Sequence, residues 1–186
     1  MKITLPEHIG EITLGQYQKY IALDSELLEF DKKKNAVSIF CNSSLEVVEK
    51  FPAKEIESFD LQIQKALTQT VEFQSKFEMN GIKFGFHPNL NEMNGAEWSE
   101  LSKYKEEVSN YHRFMAILFR PILKEDKNGN YSIIEYNGTS KFCEVMRSMP
   151  LSVAEGSRVF FLNLTKELEA YILKFTIREQ SRVSKL

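Results

Sequence analysis

The sequence predicts an α+β protein, predominantly helical: a helical core with one or two β-hairpins and a long C-terminal helix. Three observations predict it. Apolar residues recur at spacings of three and four over most of the 186 residues, as on a one-faced helix. Between Phe77 and Phe86 the period drops to two around Asn80-Gly81, the strongest short hairpin signal. Capping patterns, a short polar residue followed three positions later by Gln or Glu, punctuate the helical stretches. The length suits a single domain over 1–186. Within it, residues 1–70 read as a helical part, 71–138 as hairpins flanking a central helix, and 139–186 as C-terminal helices.

In chain order, Lys2–Leu5 alternates and stops at Pro6, as a short strand would. Thr13-Leu-Gly-Gln16 is a capping box, and the helix it opens carries Leu14, Tyr17, Ile21 and Leu28. The charged run Asp31–Lys34 reads as solvated surface, and Ala36–Cys41 as a short apolar helix. Ser43-Ser-Leu-Glu46 is a second capping box, before a short helix with Val47 and Val48. Pro52 suits the first position of the next helix, which runs to about Gln69 with Ile56, Phe59, Ile63, Ala66 and Leu67 on one face.

In the hairpin, Met79 should face Ile82 and Phe77 should face Phe84, placing these four and Phe86 on one side. Asn94-Gly-Ala-Glu97 starts a short helix containing Trp98 and Leu101. The densest apolar run, Tyr111–Ile122, anchors the middle, with helix expected over Lys105–Arg120. Pro121 must end it, because it has no N–H to donate and disfavours helix at the residue before it. Ile122–Lys124 should then be extended and pair with Tyr131–Tyr136 across the Asp126–Asn130 turn. Helix is expected again over Thr139–Arg147. A third capping box around Ser152 and Glu155 should open the long last helix, with Val153, Phe160, Phe161, Leu164, Leu168, Tyr171, Ile172 and Phe175 at helical spacing and Gly156 permitting close helix packing.

The composition bounds the function. Hydrophobic residues make 42% of the chain and charged ones 27%, and with 14 Phe against one Trp the core should be rich in phenylalanine. A formal net charge of −2 argues against nucleic acid as a partner, which needs a basic footprint. No run approaches ~18 apolar residues, so no membrane span is expected, and Met1–Pro6 lacks the apolar stretch of a signal peptide. The final Ser184-Lys185-Leu186 matches a peroxisomal tripeptide, which chance readily produces. Cys41 and Cys143 read as buried free thiols, and a reducing compartment fits them better than a disulfide.

No catalytic, cofactor or metal motif emerges. His8, His87 and His112 are scattered, His87 reading as a turn residue, and the carboxylates fall on polar helix faces. There is no phosphate-cradling glycine loop and no nucleophile elbow. A non-enzyme with no cofactor is expected, one whose apolar side chains seal an interior and whose task is adhesion. The candidate partner-binding residues are Trp98, Arg120, Arg178 and Arg182. Trp98 reads first as a core or edge-of-core residue and second as an exposed anchor. Arg120 reads first as a cation at a helix C-terminus, and second as a partner contact or an internal ion-pair anchor. Arg178–Leu186 is basic and should fray unless a partner holds it, and DNA binding along it is a remote variant.

The second half carries a resemblance. Phe84-Gly-Phe-His-Pro-Asn-Leu90, then Glu97, Leu101 and Tyr104, then Met115-Ala-Ile-Leu-Phe-Arg-Pro-Ile122, Tyr131 and Tyr136-Asn-Gly-Thr139 lead to Met149-Pro-Leu-Ser-Val153, Gly156 and Phe160-Phe-Leu-Asn-Leu164. This order of residues resembles the tail assembly chaperones of tailed bacteriophages, with Ile12-Thr-Leu-Gly-Gln-Tyr17 as a fainter N-terminal echo. Phe119 stands where that group would place Tyr. The resemblance implies a non-enzymatic role in phage morphogenesis, in the host cytoplasm during assembly or in the virion. The partner would be a phage structural protein, such as the tape measure, held soluble by the outer face of the hairpin or one side of the C-terminal helix. A virion component, such as a head–tail connector or tail subunit, is the alternative. A small regulatory or host-interaction protein comes next, and a homo-oligomer is compatible with each.

Overall fold

The computed structural model describes residues 3–139, 142–164 and 166. The architecture is α+β and mainly helical, with one four-stranded antiparallel sheet in the order β1-β2-β3-β4. Helices α1 (Leu14–Ile21), α2 (Glu29–Phe40), α3 (Leu45–Val48) and α4 (Ala53–Leu67) form the N-terminal layer. The hairpin β1 (Lys76–Met79) and β2 (Ile82–Phe86) follows, then α5 (Gly95–Tyr104), α6 (Tyr111–Leu118), β3 (Phe119–Glu125) and β4 (Tyr131–Ile133). A last helix, α7, is described over residues 151–164.

The N-terminal layer is built by amphipathic pairing. α2 packs on α4 and α1, and buries Ala36, Val37 and Phe40 against Ile56, Ile63 and Ala66. The Thr13 hydroxyl accepts from the Gln16 N–H, and the Gln16 side chain accepts from the Thr13 N–H, closing the expected box. α1 is shorter than the apolar spacing suggested: it stops at Ile21, and Leu28 precedes α2 as an exposed residue. The run Asp31–Lys34 lies inside α2, where Lys34 bridges Asp31 at 2.8 Å and Glu49 at 3.2 Å. The second box does not close. Ser44 stands before α3 without a side-chain capping bond. Pro52 precedes α4 as its N-cap, and the helix ends at Leu67.

The Asn80-Gly81 hairpin has the expected register, with Phe77 opposite Phe84 and Met79 opposite Ile82. Both turn residues hold positive φ, 53° at Asn80 and 74° at Gly81, as the two-residue loop requires. Phe84 and Phe86 are buried, whereas Ile82 at the hairpin tip is exposed.

α6 is the buried centre. Six of its eight residues, Tyr111 and the run from Phe114 to Leu118, are buried apolar groups, and it contacts α1 and α5. It is half the length expected. Residues 108–110 form a 3-10 turn, and the chain passes from helix to strand between Leu118 and Phe119 without a connecting loop. The reason is local: Arg120 before Pro121 is pushed to extended backbone, and Phe119 is already extended at φ −116°, ψ 126°. β3 pairs with β2 on one edge and β4 on the other, with a bulge between Ile122 and Lys124.

Four further expectations are corrected. Residues 3–5 pair with no strand among the described residues. β4 has three residues where six were expected. Among the described residues of 139–147 there is no α-helix, and Val145–Ser148 is a 3-10 turn. α7 already includes residue 151, so Ser152 is inside the helix and not its cap. Gly156 does permit a close approach, but of a loop: an added Cβ would overlap the Glu72 carbonyl oxygen. The expected core residues Leu168, Tyr171, Ile172 and Phe175 lie outside the described residues.

The core is rich in phenylalanine, as composition suggested. Phe73 stacks on Phe160 at 4.2 Å, and Phe86 meets Phe73, Phe119 and Phe160 edge-on. These rings join the sheet to α7.

Candidate functional site

Where the sheet meets α7, the ring cluster is open on one side. The opening is a groove of about 490 Å³. Phe73, Phe86 and Phe160 line it, the turn His87–Asn91 forms one wall, and Trp98 and Leu164 stand at its rim. Trp98 is 53% exposed and Leu164 40%. The volume is within the range of ligand pockets, and the lining is apolar and aromatic.

Trp98 follows Glu97 in α5, and Glu97 explains how the rim is held. The capping box at Asn94 closes: the Asn94 side chain accepts from the Ala96 and Glu97 N–H groups, and Glu97 Oε2 accepts from the Asn94 N–H at 2.7 Å. The other oxygen, Oε1, lies 2.7 Å from Arg120 Nη2 and 3.8 Å from His87 Nε2. Glu97 is 3% and Arg120 5% exposed. Glu97 therefore caps α5 and pins it to the start of β3. The Arg120 guanidinium also lies over the Tyr136 ring at 5.7 Å. Burial and the neighbouring Glu100 carboxylate raise the Tyr136 pKa, keeping the phenol neutral. Burial lowers the His87 pKa, with Arg120 adding to it and Glu97 opposing.

A second polar cluster binds α1, α6 and the 145–148 turn. His112 is 2% exposed. Arg147 Nη2 donates to His112 Nε2 at 3.1 Å, and Arg147 Nη1 donates to Gln18 Oε1 at 2.9 Å. Gln18 Nε2 donates to the Val108 and Ser109 carbonyls at 2.7 and 2.9 Å. Arginine can only donate, so His112 Nε2 is an acceptor, while Nδ1 faces both the Gln18 amide nitrogen, 3.0 Å away, and the Ser109 backbone. Burial and Arg147 lower its pKa.

Of the four residues selected from sequence, Trp98 is exposed at the groove, the reverse of the edge-of-core reading. Arg120 is the internal ion-pair anchor of its second reading: it is no helix-end cation and offers no surface to a partner, because its guanidinium is buried against Glu97. Arg178 and Arg182 lie outside the described residues. Glu97, Phe73 and Phe160 were not selected. Glu97 was hidden by its capping motif, which fully accounts for a glutamate at that position. His87 is buried against charge, not free in a turn, and Glu97 departs from the solvated helix face expected of carboxylates. Cys41 is half-buried and Cys143 buried, neither in a disulfide, with burial raising the Cys41 pKa to about 11.

Among the described residues, no group of three His, Cys, Asp or Glu side chains could hold a metal ion. No helix among them is long and apolar enough to cross a membrane. No protein-family model matches the chain, and neither a curated protein nor a solved structure matches it.

Proposed function

We propose that this chain is a non-enzymatic assembly protein of a tailed bacteriophage, a chaperone that holds a tail structural protein, such as the tape measure, until it is incorporated. The observation that carries the reading is the groove beside Trp98: three aromatic rings lie open to one side, with the large apolar Trp98 and Leu164 exposed at the rim. An apolar segment of a client, extended or helical, is the chemistry this surface suits. The order of residues from Phe84 to Leu164 supports a phage origin by resemblance. The groove lies on α7 and at the end of β2, so it replaces the outer face of the hairpin as the client surface.

Co-expression with the tape measure of the same genome tests the proposal. Trp98→Ser should lower soluble client while circular dichroism and the thermal midpoint of the variant stay unchanged. An unchanged client yield overturns the groove. Mass spectrometry of purified particles addresses the rest: absence supports a chaperone, and a fixed stoichiometric copy number overturns it in favour of a virion component.

A further inference from the structure

We infer that His87 is a proton-sensitive latch of the groove, whose protonation loosens the wall at Asn89–Asn91 and weakens binding of an apolar occupant. The inference rests on the groove being the client surface, as proposed above.

The geometry is specific. The Asn89 N–H donates to His87 Nδ1 at 3.3 Å, so this nitrogen is an acceptor and the neutral ring carries its proton on Nε2, toward Glu97. Asn89 in turn organises the wall. Its side-chain oxygen accepts from the Asn91 N–H at 3.1 Å, and its amide nitrogen donates to Glu92 at 2.8 Å. Adding a proton to Nδ1 turns the acceptor into a donor and leaves the Asn89 N–H without its partner. Flipping the ring is no escape, because it withdraws Nε2 from Glu97.

The charges facing the ring are Arg120 from β3, Glu97 from α5 and Glu92 from the wall itself. Arg120 opposes protonation, and the two carboxylates favour it. Burial, the largest influence, opposes it and keeps the ring neutral at pH 7. An apolar occupant would exclude more water from His87 and disfavour the imidazolium further. By linkage, protonation must then weaken the occupant by the same factor.

The test uses the full chain. The His87 ring and the Asn89, Leu90 and Asn91 amides are followed by NMR from about pH 8 to about pH 5, the range in which histidine titrates. Binding of Nile red, a neutral apolar dye, is measured over the same range. The Asn89 amide should shift with the midpoint of the His87 ring. Dye affinity should fall about threefold to tenfold toward acid, since one pKa unit of coupling is a factor of ten. His87→Asn offers an acceptor that does not titrate and should flatten both curves, whereas His112→Gln should leave them in place. An Asn89 amide that ignores the His87 titration overturns the latch, in the wild type alone if the variant does not fold. Acid dependence of dye binding that survives His87→Asn also overturns it. Dye that binds at no pH overturns the groove, and the amide titration then decides separately whether the wall responds.

Discussion

Glu97 Oε1 and Arg120 Nη2 lie 2.7 Å apart with both side chains almost fully buried, so the ion pair between α5 and β3 is closed to solvent. Such a pair is weak evidence for net stability, because desolvation offsets most of the attraction, but removing one member strands a charge. Arg120→Met should cost about 3–5 kcal/mol. The double variant Arg120→Met with Glu97→Gln should cost less than the sum of the singles. Urea denaturation of all three variants measures this, and strict additivity would mean that the two residues act independently.

Stability should fall in mild acid. The folded pKa values of His87 and His112 are both below the ordinary 6.5, so the unfolded chain takes up protons first. Their contribution is complete above that value and is lost as pH falls toward the folded values. Denaturation midpoints measured between about pH 8 and about pH 5 should decline on the acid side. His112→Gln should remove part of the slope and His87→Asn another part. A midpoint that does not change with pH would refute this.

Gly156→Ala opposes two rules. Helix propensity alone favours Ala by about 1 kcal/mol. The added methyl, however, would overlap the Glu72 carbonyl oxygen, which belongs to backbone and cannot rotate away. Net destabilisation by about 1–3 kcal/mol is expected, read as a lowered thermal midpoint. A stabilised variant would show that residues 71–73 yield freely.

Two hydroxyls at helix starts should behave differently. Thr13 makes its capping bond and Ser44 makes none. Thr13→Ala should therefore cost about 1 kcal/mol, and Ser44→Ala should stay within about 0.5 kcal/mol of the parent. Equal losses in chemical denaturation would contradict the geometry.

The legible parts of the sequence were those fixed by neighbours in the chain. The Asn80-Gly81 turn, the boxes at Thr13 and Asn94 and the halt before Pro121 are set by the backbone preferences of adjacent residues, and all four are present. What could not be read depends on distant residues. Helical spacing continued through Arg120, but Phe119 and Arg120 find ladder partners in Phe86 and Gly85, more than thirty positions earlier. Gly156 announced a close approach without saying to what. Glu97 satisfied a local rule so well that its second bond, to a residue on another element, left no trace in the pattern. Trp98 was misjudged for the opposite reason: a large apolar side chain is assigned to the interior unless its surroundings are known.

The missing connector between Leu118 and Phe119 has a mechanical consequence. With no slack between α6 and β3, one continuous backbone threads the helical layer and the middle of the sheet. A pull on either layer reaches the other through covalent bonds instead of a yielding joint. Amide hydrogen exchange should therefore find the two segments opening together, as one cooperative unit. Whatever grips the rim at Trp98 is fastened, through Glu97 and Arg120, to the junction of α6 and β3.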